Sequence, residues 1–99
     1  MRELKVIISG WSTVIPKRRD EVVESFKDLV LRARSAPGCL DFAMTADPVD
    51  PSRVNIFELW QSEKHLKSWR AVCKRPKHIA KPIRVDVQKH ILQKSGPPF

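Results

Sequence analysis

Gly38-Cys-Leu-Asp-Phe-Ala-Met-Thr-Ala-Asp47, Pro48-Val-Asp-Pro-Ser52 and Arg53-Val-Asn-Ile-Phe-Glu-Leu-Trp60 run consecutively, and Ser62-Glu-Lys-His-Leu-Lys-Ser-Trp-Arg70 follows. Leu40, Phe42, Met44 and Ala46 recur with the period of a strand. So do Val54, Ile56 and Trp60, set against Phe57 and Leu59. Pro48, Asp50 and Pro51 stop the first run, because proline fixes φ and donates nothing to a ladder. The reading is a hairpin with a loop of about five residues, then a helix capped by Ser62 with Leu66, Trp69, Val72 and Cys73 on its inner face.

Outward from this stretch, residues 3–15 read as a first strand with apolar side chains on both faces. Leu4, Val6, Ile8 and Val14 point one way; Ile7, Trp11 and Ile15 point the other. Gly10 in its middle signals a bulge or a close backbone approach. Pro16 opens a helix, whose stripe is Val22, Val23, Phe26, Leu29, Val30 and Ala33. Pro37-Gly38 ends it. Pro76 and Pro82 break residues 74–82 into a bent segment, and a last strand runs from Ile83 to about Gln93. The expected domain is 1–94, with 95–99 as a tail. The order β-α-β-β-α-β predicts an α+β, ferredoxin-like fold with both helices on one face of a four-stranded antiparallel sheet. The other face would expose bulky apolar residues, which favours a second copy stacked sheet to sheet as a dimeric α+β barrel.

The chain carries a net charge of +8 over 99 residues. In residues 1–62 acids and bases cancel; the excess lies entirely in residues 63–99. An anionic partner and a solvated basic face both fit this asymmetry. No run approaches the ~20 apolar residues of a membrane span. The N-terminus enters a strand pattern with no export signal. Cys39 and Cys73 form no CxxC and fit two thiols in a reducing compartment. These features point to a cytoplasmic protein. His65, His78 and His90 make no metal-ligand spacing with the acids or thiols, so no metal is expected. No dinucleotide fingerprint is present. Nucleic-acid binding would rest on charge alone, without an aromatic RNA-reading motif, and is disfavoured.

Several residues suit chemistry. Asn55 interrupts an apolar strand, and a buried amide must bond either backbone or ligand. Trp69 lies at the centre of the helix stripe, as core or as a stacking platform for a flat substrate. His65 flanks that stripe; imidazole, titrating near ~6.5, suits a general base, although a surface histidine is the plainer reading. His78 follows Pro76 in the bent segment, where it could cover a pocket mouth.

Pro37-Gly-Cys-Leu-Asp-Phe42, Ala46-Asp47 with Asp50-Pro51, Arg53-Val-Asn55 with Phe57-Glu58 and Trp60, and Ser62 with Leu66 together resemble the antibiotic biosynthesis monooxygenase family. They span about a third of the chain. The resemblance implies the dimeric barrel and a substrate pocket between sheet and helices. Its walls here would come from Ser9 and Trp11, Asn55 and Phe57, and His65 and Trp69, with His78 at the mouth. It also implies a cofactor-independent oxidation of a small aromatic phenol or quinol by dioxygen. On that reading His65 and Asn55 are the catalytic candidates, and Trp11, Phe57, Trp69 and His78 bind substrate. A non-catalytic small-molecule-binding or stress-response module on the same fold is the alternative. The chain has no tyrosine, so any tyrosine role in the family is missing. Ser9-Gly10-Trp11 lacks the strand-one asparagine of the heme-degrading branch, which disfavours heme.

Overall fold

Every strand of the sheet is eight residues long and each pairs antiparallel with its neighbours. The computed structural model describes residues 3–99; Met1 and Arg2, at the start of the expected domain, lie outside the described residues. Strand β1 is Val6–Thr13, β2 is Cys39–Ala46, β3 is Arg53–Trp60 and β4 is Arg84–Ile91. Their spatial order is β2-β3-β1-β4, that of the ferredoxin-like split unit.

The first helical region is less continuous than its stripe predicts. A 3-10 turn at Pro16–Arg18 leads into α1, Arg19–Ser25, and α2, Lys27–Arg34, follows after a break at Phe26. The Ser25 hydroxyl donates to the Val22 carbonyl at 2.6 Å, and the Phe26 N–H goes to Val23 O instead of one residue further back. Such side-chain competition for carbonyls loosens a helix locally. Gly38 then turns the chain with φ +79, where a Cβ would collide with the His65 ring.

Helix α3, Glu63–Val72, begins as expected: Ser62 Oγ accepts the His65 N–H at 3.3 Å. Its buried positions are Leu66 and Trp69. Val72, expected inward, is 68% exposed, because Leu66, Trp69 and Cys73 keep the helical spacing and Val72 falls off it. Leu40 is a second correction. The β2–β3 register shifts between Cys39 and Asp41, so Leu40 leaves the alternation and is 46% exposed. This irregularity restores Phe42 and Met44 to the inner face opposite Glu58 and Ile56.

The core is an aromatic cluster on the helix side of the sheet. Trp60 and Trp69 stack with centroids 6.2 Å apart, and Phe42 meets both edge-on at 6.5 and 6.3 Å. Val6, Ile8, Leu29, Ala33 and Leu66 close around them. A smaller cluster of Val14, Val22 and Val54 sits towards the hairpin loop. Gly10 is required by close approach. It has φ +152, and a Cβ there would collide with the Asp86 carbonyl of β4. Only glycine lets β1 run this close to its neighbour.

Residues 47–52 form the hairpin loop. Asp47 Oδ2 accepts the N–H groups of Asp50 and Val49 at 2.8 and 3.0 Å, and Oδ1 accepts from Asn55 Nδ2 at 2.8 Å. These donors hold the Asp47 carboxyl down at about 2. One guanidinium nitrogen of Arg19 donates to the carbonyls of Asp47, Asp50 and Arg53, tying the loop to α1.

Candidate active site

A cavity of about 280 Å³ lies between the helix side of the sheet and the helices, bordered by residues of both apolar clusters. Strand parity decides what faces it. Ile8, Ser12, Phe42, Met44, Val54, Ile56, Val85 and Val87 come from the sheet. Phe26 and Leu29 come from the first helical region, and Trp69, Arg70 and Cys73 from α3 and its end. Beyond Val72 the chain leaves the helix, with Cys73 at φ −67, ψ 133. Residues 74–82 then bend across the mouth, adding Arg75, His78, Ala80 and Pro82.

One acid faces this cavity: Glu58 of β3. It shares the inner face with Val54, Ile56 and Trp60, and its Oε1 accepts the Trp60 indole N–H at 2.9 Å. Burial pushes its carboxyl above the ordinary range, while the indole N–H and the charges of Arg70 and Arg75 pull the other way. The result is a carboxylate aimed into an apolar chamber with a raised proton affinity. That is the environment of a general base able to act on a weak acid.

The expected site residues divide between two places. Trp69 and His78 line the cavity. Trp11, Asn55 and Phe57 do not; they lie on the opposite sheet face, where Trp11 pairs with Asn55 and Ser9 with Phe57. Side chains alternate, so residues at these positions cannot share a face with Ile8, Ser12, Val54 and Glu58. Their partners are also local. The Asn55 amide donates to Asp47 and accepts from Arg53 Nε at 2.7 Å, while the guanidinium groups of Arg53 and Arg84 lie 5.3 and 5.4 Å from the Trp11 ring centroid. Asn55 is thus bonded within the hairpin, on the face away from the cavity. His65 also stands outside the cavity. Its Nδ1 is 2.7 Å from Ser62 Oγ and its ring packs over Gly38, which ties α3 to the start of β2.

Glu58 is the functional candidate that sequence reasoning missed. For Glu58 the signal was present: it is the acid in an apolar strand, at the parity of Trp60. Helical spacing and the bent segment after it place Arg70 and Arg75 in a basic patch near the pocket mouth, and both line the cavity; that they act there on Glu58 depends on how the bent segment folds back. Among the described residues, no group of three or more His, Cys, Asp and Glu side chains is placed to hold a metal ion. No described helix is long and apolar enough to cross a membrane.

The sequence model of a family described as antibiotic biosynthesis monooxygenase matches residues 6–72. No curated protein matches the chain significantly. Solved structures do share its fold. A candidate antibiotic biosynthesis monooxygenase from Bacteroides thetaiotaomicron is 20% identical, with a TM-score of 0.71 over 98% of this chain and 96% of its own. A Shewanella oneidensis protein is 11% identical, with a TM-score of 0.74 over 93% of each chain. A heme-degrading protein from Mycobacterium tuberculosis is 12% identical, with a TM-score of 0.68 over 97% of this chain and 99% of its own. At these identities the likeness is one of fold.

Proposed function

The chain belongs to the antibiotic biosynthesis monooxygenase family, and on that premise we propose that it oxidises a small aromatic phenol or quinol with dioxygen inside the cavity between sheet and helices. The observation that carries this reading is Glu58, a carboxylate of raised proton affinity facing a largely apolar chamber. A volume of about 280 Å³ suits one or two aromatic rings; clefts for larger ligands run to about 1,000 Å³.

The chemistry asks little of the protein. Glu58 takes the phenolic proton, and the phenolate becomes electron-rich enough to reduce dioxygen. A carbon–oxygen bond forms at an unsubstituted ring position ortho or para to the phenolate oxygen, giving a hydroperoxide there. Loss of water from that carbon leaves a quinone, so one oxygen atom enters the product and the other departs as water. Glu58 gives the phenolic proton to the peroxide as it forms, then takes the proton of the ring C–H bond as the O–O bond breaks and passes it to the departing hydroxide, which leaves as water. Trp69 offers a flat wall beside the ring. Arg70 and Arg75 stabilise negative charge as it develops. The apolar lining and the bent segment limit water access. Asn55 and His65 act on this reading as structural anchors. They replace neither the base nor the donors.

The test is oxygen uptake by the purified protein, with no cofactor added, across a panel of phenols and hydroquinones. One dioxygen consumed per phenol converted is expected. Tight binding of the same compounds with no uptake would favour the non-catalytic binding module.

The same reading includes a homodimer. Ile7, Trp11, Phe57 and Leu59 make a contiguous apolar band on the sheet face that carries no helix. A second copy stacked on that face would bury it. Sedimentation at micromolar concentration should give about twice the 11.4 kDa chain mass. A well-folded monomer would defeat the barrel.

A further inference from the structure

Arg70 and Arg75 differ from the other arginines of the fold. Arg18, Arg19 and Arg32 each pair with a carboxylate. Arg34 donates to the Phe42 carbonyl. Arg53 bonds Asn55 and lies, like Arg84, over the Trp11 ring. Among the described residues, only the guanidinium groups of Arg70 and Arg75 have no such partner. Both residues are exposed, and both border the cavity. They reach it from different elements, α3 and the bent segment, and both act electrostatically on Glu58.

We infer that the cavity takes a planar aromatic molecule bearing an anionic substituent, with Arg70 and Arg75 as the residues that select for it. This inference rests on the reading of the cavity as the substrate site. The chamber has one acidic and two guanidinium groups on its lining, so ionised Glu58 leaves an excess positive charge that one anionic group would satisfy. The polarity is ordered. The interior is apolar around Ile8, Phe42 and Ile56, whereas the two guanidinium groups lie on exposed residues at its border. A phenolic hydroxyl would point inward to Glu58, and the anionic group outward to the arginines. Guanidinium forks bind carboxylates in a fixed plane, which also orients the ring.

The experiment compares 6-hydroxy-2-naphthoate with its neutral isostere 6-hydroxy-2-naphthamide by calorimetry under nitrogen. The acid is expected to bind at least about tenfold more tightly, the usual worth of one hydrogen bond to a charged group. Arg70→Ala/Arg75→Ala should abolish that advantage, bringing the affinities of the acid and the amide together. Lys64→Ala/Lys67→Ala removes two charges from α3 at residues that do not line the cavity, and should preserve it. Equal affinities in the unaltered protein would overturn the inference while leaving the cavity as the site. So would an advantage that survives the arginine variant, or one lost equally in the lysine variant. Binding of neither compound would overturn the reading of the cavity and this inference with it.

Discussion

Glu58→Gln is expected to lower kcat for phenol oxidation by about 10²–10⁴-fold, the usual contribution of a positioned general base. Glutamine keeps the shape and can still accept the Trp60 indole N–H, so the fold should persist and KM should change little. The pH profile provides an independent readout. Burial raises the affinity of Glu58 for its proton, so the active, ionised form is reached only above the ordinary carboxylate range of about 4.3. Activity should therefore fall on the acid side, with an inflection above that value. Trp60→Phe removes the indole donor that favours the ionised form, and should move the inflection further up. A glutamine variant with unchanged kcat would remove Glu58 from the mechanism. His78, which also lines the cavity, would then be the next candidate base.

Trp60→Ala is expected to cost about 3–5 kcal/mol of stability, the range for deleting a large aromatic from a core. Trp60 is fully buried, stacks on Trp69 and meets Phe42 edge-on. Its loss also leaves Glu58 without its indole partner. For a domain with a total stability of about 5–15 kcal/mol, that is a large fraction. Trp69→Ala should cost less, because Trp69 already borders empty space and its removal enlarges a cavity instead of creating one. Urea unfolding of both variants provides the comparison. Equal losses would mean that the cavity wall is packed as tightly as the core. In that case Trp69 would be a structural residue alone.

The positions of Trp60 and Trp69 in the core follow from local pattern, and so does much of the fold. Alternation in 39–46 and 53–60 gives the hairpin. Ser62 before an amphipathic run gives the capped helix. Gly10 marks a close approach that proves to be to the Asp86 carbonyl. These are short-range signals, because each depends on backbone geometry within a few residues.

The choice between sheet faces was not local. Strands β1 and β3 carry large apolar residues on both faces, so a period of two separates Trp11, Asn55 and Phe57 from Ile8, Val54 and Glu58 without saying which set meets the helices. Tertiary structure decided it. The helices cover the face bearing Val6, Ile8 and Trp60, and the bend of residues 74–82 brings Arg75 and His78 to the same chamber. Apart from the break at Phe26, local periodicity and capping specify the elements, their order and the aromatic character of the core. That Glu58, Arg70 and Arg75 share a cavity which Asn55 and His65 do not line depends instead on contacts between residues far apart in the chain.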